Sequence, residues 1–147
     1  MRIVIDTNIV FSAILNTNSK IAKIILQPKS RLNFYSTENL LAEIEEHSDK
    51  LKKLSKYSDY ELHRVIQILT SKIRFINVNL IPKKFYSKAE LLTNGVDLDD
   101  TEFVALTDHV RGRLWSGDKE LIAGLRKRKW DKFISTDELH KFSSNRN

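Results

Sequence analysis

The start of the chain constrains its fold most. Arg2-Ile3-Val4-Ile5 is apolar and β-branched without polar alternation, and the run stops at Asp6. An unbroken apolar run of this length fits a strand covered on both faces, as in a parallel sheet. Thr7-Asn8 follows, and Ile9 to Leu15 reads as the start of a buried helix. Further short runs occur at Leu32–Tyr35, Arg74–Val78, Arg113–Ser116 and Phe133–Ser135. Helical patterns separate them, which predicts an α/β chain of βαβ units with a mainly parallel sheet. Ligands of such sheets bind outside the carboxyl ends of the strands, where Asp6 stands.

Caps, breakers and periodicity place the helices. Ser19 is expected to cap a short helix with Ile21, Ile24 and Ile25, stopped by Pro28. Ser36 or Thr37 is expected to cap one helix carrying Leu40, Leu41, Ile44, Leu51 and Leu54. Tyr57 to Lys72 reads as amphipathic, with Leu62, Val65, Ile66 and Leu69 inward. Ser87–Thr93 is a short helix ended by Asn94-Gly95. Asp99 is the expected N-cap of a buried helix that Gly112 ends. A helix follows from Lys119 to about Arg128, and Thr136 caps a last one through Phe142. One domain over residues 1–142 results, with the polar tail Ser143–Asn147 expected to fray.

Composition removes several chemistries. A chain of 147 residues supports one domain with a real core. It has no cysteine, which excludes a disulfide framework, a cysteine nucleophile and cysteine-ligated zinc or iron–sulfur sites. It lacks a membrane-length apolar run and a signal-peptide pattern, so a cytoplasmic location is expected. The net charge of +6 and pI near 9.5 favour an anionic partner.

Asp6 and Asp118 each follow an apolar strand, and Asp100 lies in the first turn of a helix. In a parallel sheet those positions share one edge. Glu43 is less determined, because it falls about two turns into its helix. Carboxylates gathered in one cleft must either rise in pKa or be neutralised by a cation. Oxygen-only donors select Mg²⁺ or Mn²⁺. Such ions bind a phosphodiester, activate water and stabilise the leaving oxygen.

The segments Ile3-Val4-Ile5-Asp6-Thr7-Asn8, Leu40-Leu41-Ala42-Glu43-Ile44, Asp97-Leu98-Asp99-Asp100-Thr101-Glu102-Phe103-Val104-Ala105-Leu106 and Leu114-Trp115-Ser116-Gly117-Asp118-Lys119-Glu120-Leu121 occur in that order. Together they strongly resemble the PIN-domain family, which includes the VapC-type toxins of bacterial toxin–antitoxin pairs. The resemblance runs from Arg2 to about Phe142. It implies a three-layer α/β/α sandwich and a metal-dependent endoribonuclease that prefers single-stranded RNA. Residue by residue, it matches Asp6, Glu43, Asp100 and Asp118 to the family's catalytic and metal-holding acids, and Asn8 and Ser116 to supporting polar positions. Mg²⁺ or Mn²⁺ is the implied cofactor; a cognate antitoxin and a homodimer are implied partners. The chain departs from the smallest toxins in a long basic helical region, His47 to Lys72.

Plainer roles stand beside these. Asp6 and Asp118 could simply cap helices, and Glu43 could be solvated like Glu45 and Glu46. Asp97, Asp99 and Asp100 compete for one position, with Asp100 preferred. His47 is expected at the surface, and Asp137 in a cap or salt bridge. Arg126-Lys127-Arg128-Lys129 is the densest basic patch and a candidate RNA contact, with Trp130 packed inward. Lys50, Lys52, Lys53 and Lys56 form a second basic run. A phosphoryl-transfer domain using Asp6 as nucleophile would want aspartate at position 8, where Asn8 stands. The rival function is a non-catalytic RNA-binding or protein-interaction module on the same fold.

Overall fold

The computed structural model describes residues 1–28, 31–94 and 97–144. Among these residues, β1 (Arg2–Ile5) lies at the centre of a five-stranded sheet. It is flanked by β2 (Asn33–Thr37) and β4 (Arg113–Trp115), with β3 (Ile73–Ile76) and β5 (Phe133–Ile134) at the edges. Every pairing is parallel. Ile3 and Ile5 pack to one side of the sheet and Val4 to the other, all fully buried, as a period of two requires. That double burial is why β1 reads as an unbroken apolar run.

Helices cover both faces, which makes a three-layer α/β/α sandwich. On one face lie α1 (Thr7–Leu15), α2 (Lys20–Leu26), α3 (Asn39–Glu46), α4 (Ser48–Ser55), α5 (Asp59–Thr70) and α9 (Thr136–Ser144). On the other lie α6 (Lys83–Thr93), α7 (Leu98–Val110) and α8 (Lys119–Lys127). Residues Thr101 to Asp108 of α7 are all buried, so this helix shows almost no amphipathic stripe. None of the described helices is by itself long and apolar enough to cross a membrane. The chain leaves β1 towards β2 on one side and returns to β4 on the other, so a crevice opens beyond their carboxyl ends.

Several boundaries differ from the sequence expectation. Strand β2 runs through Thr37, so neither Ser36 nor Thr37 caps a helix; the Ser36 hydroxyl instead donates to Ile5 O at 2.9 Å. The single helix expected through Leu54 breaks at His47 into α3 and α4, leaving Leu41 and Leu54 exposed. Strand β3 stops at Ile76, and Val78–Leu80 forms a 3-10 turn. Helix α6 starts earlier than expected, directly after Pro82, whose fixed φ suits a helix start. Asp97, not Asp99, caps α7. Ser135, not Thr136, caps α9: it accepts from Glu138 N, and Glu138 accepts from Ser135 N in return. Thr136 Oγ1 accepts from Trp115 Nε1 instead. Helix α9 includes Ser143 and Ser144, while the expected fraying at Asn145–Asn147 and the stop at Gly95 lie outside the described residues. Asn94 does end α6 in the left-handed conformation.

Candidate active site

The caps of three helices build the site. Asp6 leaves the carboxyl end of β1 and is 7% exposed; its Oδ1 accepts from Ile9 N at 3.0 Å, capping α1. Asp118 caps α8 through Leu121 N at 3.1 Å. Asp97 caps α7 through Asp99 N at 2.8 Å, which places Asp99 and Asp100 in that helix's first turn. Helix N-termini present unpaired N–H groups and a positive dipole end, so anionic side chains collect there. Ser116 lies between the strands' carboxylates: its hydroxyl accepts from Asp118 N at 3.1 Å and favours the charged form of Asp6. Glu43 comes from α3, one turn before the break at His47.

The side chains of Asp6, Glu43, Asp97, Asp99, Asp100 and Asp118 line one cavity of about 430 Å³ together with Thr7, Asn8, Phe11, Leu15, His47, Lys50, Leu51, Leu54 and Phe103, while Ser116 lies buried behind it. Burial is the first cause of every raised pKa in it. Asp6 is pushed up by desolvation and by Asp118, against the Ser116 hydroxyl and the Ile9 N–H. Asp100 rises to about 6 through desolvation and then through Asp97, Asp118, Asp6 and Asp99. Glu43 rises to about 7 through desolvation and then through the neighbouring Asp99 carboxylate, partly opposed by Thr7 and His47. The Thr7 hydroxyl is buried beside Glu43 without a partner of full hydrogen-bond geometry.

The cavity therefore holds more negative charge than it can ionise unaided, plus one orphaned hydroxyl. Oxygen donors of this kind fit a hard divalent cation. The side chains do not enclose one as they stand. Among the described residues, no three acidic or histidine groups are close enough together to hold a single ion. Enclosing an ion requires the carboxylates to turn inward and Glu43 to ionise.

The sequence-derived acids Asp6, Glu43, Asp100 and Asp118 all reach this cavity; Glu38 and Glu46 do not line it. Asn8 lies exposed on its rim, so the group restraining Asp6 is Ser116. Asp99 and His47 were assigned elsewhere by sequence, one as a cap and one as surface. Asp99 faces Glu43, and His47 packs on Phe11 with ring centroids 5.7 Å apart. The Asp99 role was signalled by its place in the same helical turn as Asp100; the His47 role was not, because the helix break moved it. Asp137 pairs with Lys20 at 3.2 Å, away from the cavity. In the basic patch, Arg126 pairs with Asp131 at 2.8 Å and Arg128 donates to the carbonyls of Leu91 and Leu92. Arg128 also borders a smaller cavity, about 280 Å³, that Asp100 and Asp118 share. Lys127 and Lys129 are exposed, and Trp130 is buried against Asp108 at 3.2 Å.

Comparison with known proteins follows this geometry. The chain is 28% identical over 141 residues to an uncharacterized protein of Methanocaldococcus jannaschii, covering 95% of this chain and 83% of that one. It superposes on a chain of VapBC2 from Rickettsia felis, solved bound to a DNA fragment from the promoter, with a TM-score of 0.62 at 15% identity, covering 92% of this chain and 97% of the other. At that identity the likeness concerns the fold. The sequence profile of the PIN domain matches residues 4–139. The chain belongs to the PIN-domain family.

Proposed function

We propose that the protein is a Mg²⁺- or Mn²⁺-dependent endoribonuclease. The observation that carries this reading is the convergence of Asp6, Glu43, Asp100 and Asp118 on one cavity, where burial and neighbouring carboxylates raise the pKa values of Asp6, Glu43 and Asp100. Asp6, Asp100 and Asp118 would hold the cation, with Glu43 and Asp99 beside it. A divalent cation bound there neutralises the phosphodiester and lowers the pKa of water.

The chain's own groups supply the rest. Glu43, ionised once a cation is bound, would accept the proton of the attacking water. The water oxygen would bond to phosphorus in line as the bond to the 3′ oxygen breaks, and the leaving 3′ oxygen would take a proton from solvent, giving a 5′-phosphate and a 3′-hydroxyl. Ser116 orients Asp6 and, through its bond to Asp118 N, fixes the start of α8. A cognate antitoxin is a proposed partner, supported by the fold shared with a chain of the VapBC2 complex, and a homodimer is proposed from the family resemblance alone.

The test is cleavage of end-labelled single-stranded RNA in Mn²⁺, in EDTA and with Asp6→Asn. Cleavage should require the cation and be lost in Asp6→Asn, whose asparagine still caps α1. Undiminished cleavage by Asp6→Asn refutes the mechanism. Binding without cation-dependent cleavage of RNA or DNA favours the non-catalytic module. An antitoxin-like reading frame beside the gene supports the toxin role.

A further inference from the structure

The region that departs from the smallest relatives begins with α4, and this helix forms a wall of the cavity. Two stripes face each other across it. From α1 come Phe11 and Leu15, one and two turns beyond the acidic end. From the α4 side come His47, Lys50 and Leu54, spaced three and four apart on one face. The trough so formed extends about 12 Å from Thr7 to Leu15, at 1.5 Å per residue.

Its chemistry changes along its length. The inner end is carboxylate and the outer wall is apolar and cationic, with Leu54 left 57% exposed. His47 Nδ1 faces the Glu43 carbonyl at 2.9 Å, an acceptor only, so Nδ1 carries the proton. Lys52 on the same helix is paired with Asp59 at 2.8 Å, on a different face. Lys50 thus offers an ammonium beside an apolar shelf, at the mouth of an acidic cavity.

We propose that this trough is a nucleoside-binding subsite for the single strand being cut: Lys50 contacts a flanking phosphate, and a base lies against Phe11, Leu15 and Leu54. The inference rests on the nuclease reading, which it deepens. An unpaired base has a free face to lay on Phe11, Leu15 and Leu54, whereas a base stacked in a duplex does not, so the apolar wall favours unpaired RNA. The charge arrangement favours a strand over an apolar peptide: Lys50 answers a phosphate, and the trough leads directly to the acids. Apolar and cationic groups in one groove are how single strands are held without sequence readout.

The test uses a fluorescein-labelled single-stranded RNA hexamer, an abasic hexamer and a duplex, with binding read by anisotropy in Ca²⁺ across a salt series. Leu54→Asp should weaken hexamer binding at least tenfold with an unchanged melting temperature, since Leu54 is exposed. The abasic hexamer should lose that sensitivity. Lys50→Ala should flatten the salt dependence by about 0.7 in log–log slope. Lys53→Ala, the same charge loss on the same helix but outside the cavity lining, should change neither slope nor melting. In Mn²⁺, both trough variants should raise KM with kcat within about twofold.

Outcomes separate the two readings. Wild-type binding with the expected variant losses but no cleavage leaves the trough and removes the nuclease. Cleavage with KM unchanged in both variants removes the trough and leaves the nuclease. Equal binding of hexamer and duplex, no binding at all, or variants that lose only a protein partner overturns the trough.

Discussion

Cation binding at the carboxylate cavity should be strongly pH-dependent, with a sign set by the structure. Glu43 stands near 7 and Asp100 near 6, against ordinary values of 4.5 and 3.8. Raised carboxylates favour the protonated native state, so without cation these two groups contribute most to the stability of the protein below their ordinary values. It should lose stability as pH rises through about 4 to 7, where the folded state holds more protons than the unfolded one. A cation needs the ionised forms and must displace those protons. Between pH 6 and pH 8 its affinity should rise by up to roughly 20-fold, following from the two protonation equilibria. Both groups are part-exposed, and solvent screening lowers that to about fivefold at the weak end.

At pH 6 binding should release about 1.4 protons, and near pH 8 about 0.1. Calorimetry with Mn²⁺ in buffers of different ionisation enthalpy reads both quantities. The melting temperature should show the mirror image: falling with pH in EDTA, and raised more by Mn²⁺ at pH 8 than at pH 6. Equal affinity at the two pH values, or no proton release at pH 6, would refute the reasoning that these acids share a site awaiting a cation.

Other perturbations isolate single contacts. Ser116→Ala removes a group that favours the charged Asp6, so the acidic limb of the rate–pH profile should move to higher pH, and loss of its bond to Asp118 N should cost about 1 kcal/mol of stability. Asn39 Nδ2 donates to buried Glu102 at 2.8 Å, so Asn39→Ala should cost about 1–3 kcal/mol by chemical denaturation and raise the Glu102 pKa further. A Cβ on Gly112 would sit 2.6 Å from Arg2 O, so Gly112→Ala should destabilise by about 1–3 kcal/mol even though it is remote from the cavity. Ser58→Ala breaks a capping box on α5 and should cost about 1 kcal/mol without altering cation affinity.

The sequence by itself determined the layer plan and the acids nearest the strands. Ile3, Val4 and Ile5 are apolar without alternation because both faces of β1 are covered. Once β1 and β4 are parallel, Asp6 and Asp118 emerge at one edge, since Asp6 directly follows β1 and Asp118 comes three residues after the end of β4. A local rule also placed Ser19 at a helix start, because capping involves only neighbours in the chain.

Only the tertiary structure decided the rest. Ser36 and Thr37 carry cap chemistry yet finish β2, because pairing with β3 through Thr37 outweighs a local cap. The apolar period from Leu40 to Leu54 fits one helix, but packing against α1 breaks it at His47 and turns α4 into a cavity wall. That break gives His47, Lys50 and Leu54 their place, and no spacing rule encodes it. Which of Asp97, Asp99 and Asp100 faces Glu43 likewise depends on the rotation of α7 against α3, set by contacts far apart in sequence. Adjacent residues on a helix point about 100° apart, so a rotation that the sequence does not specify decides which carboxylate enters the site.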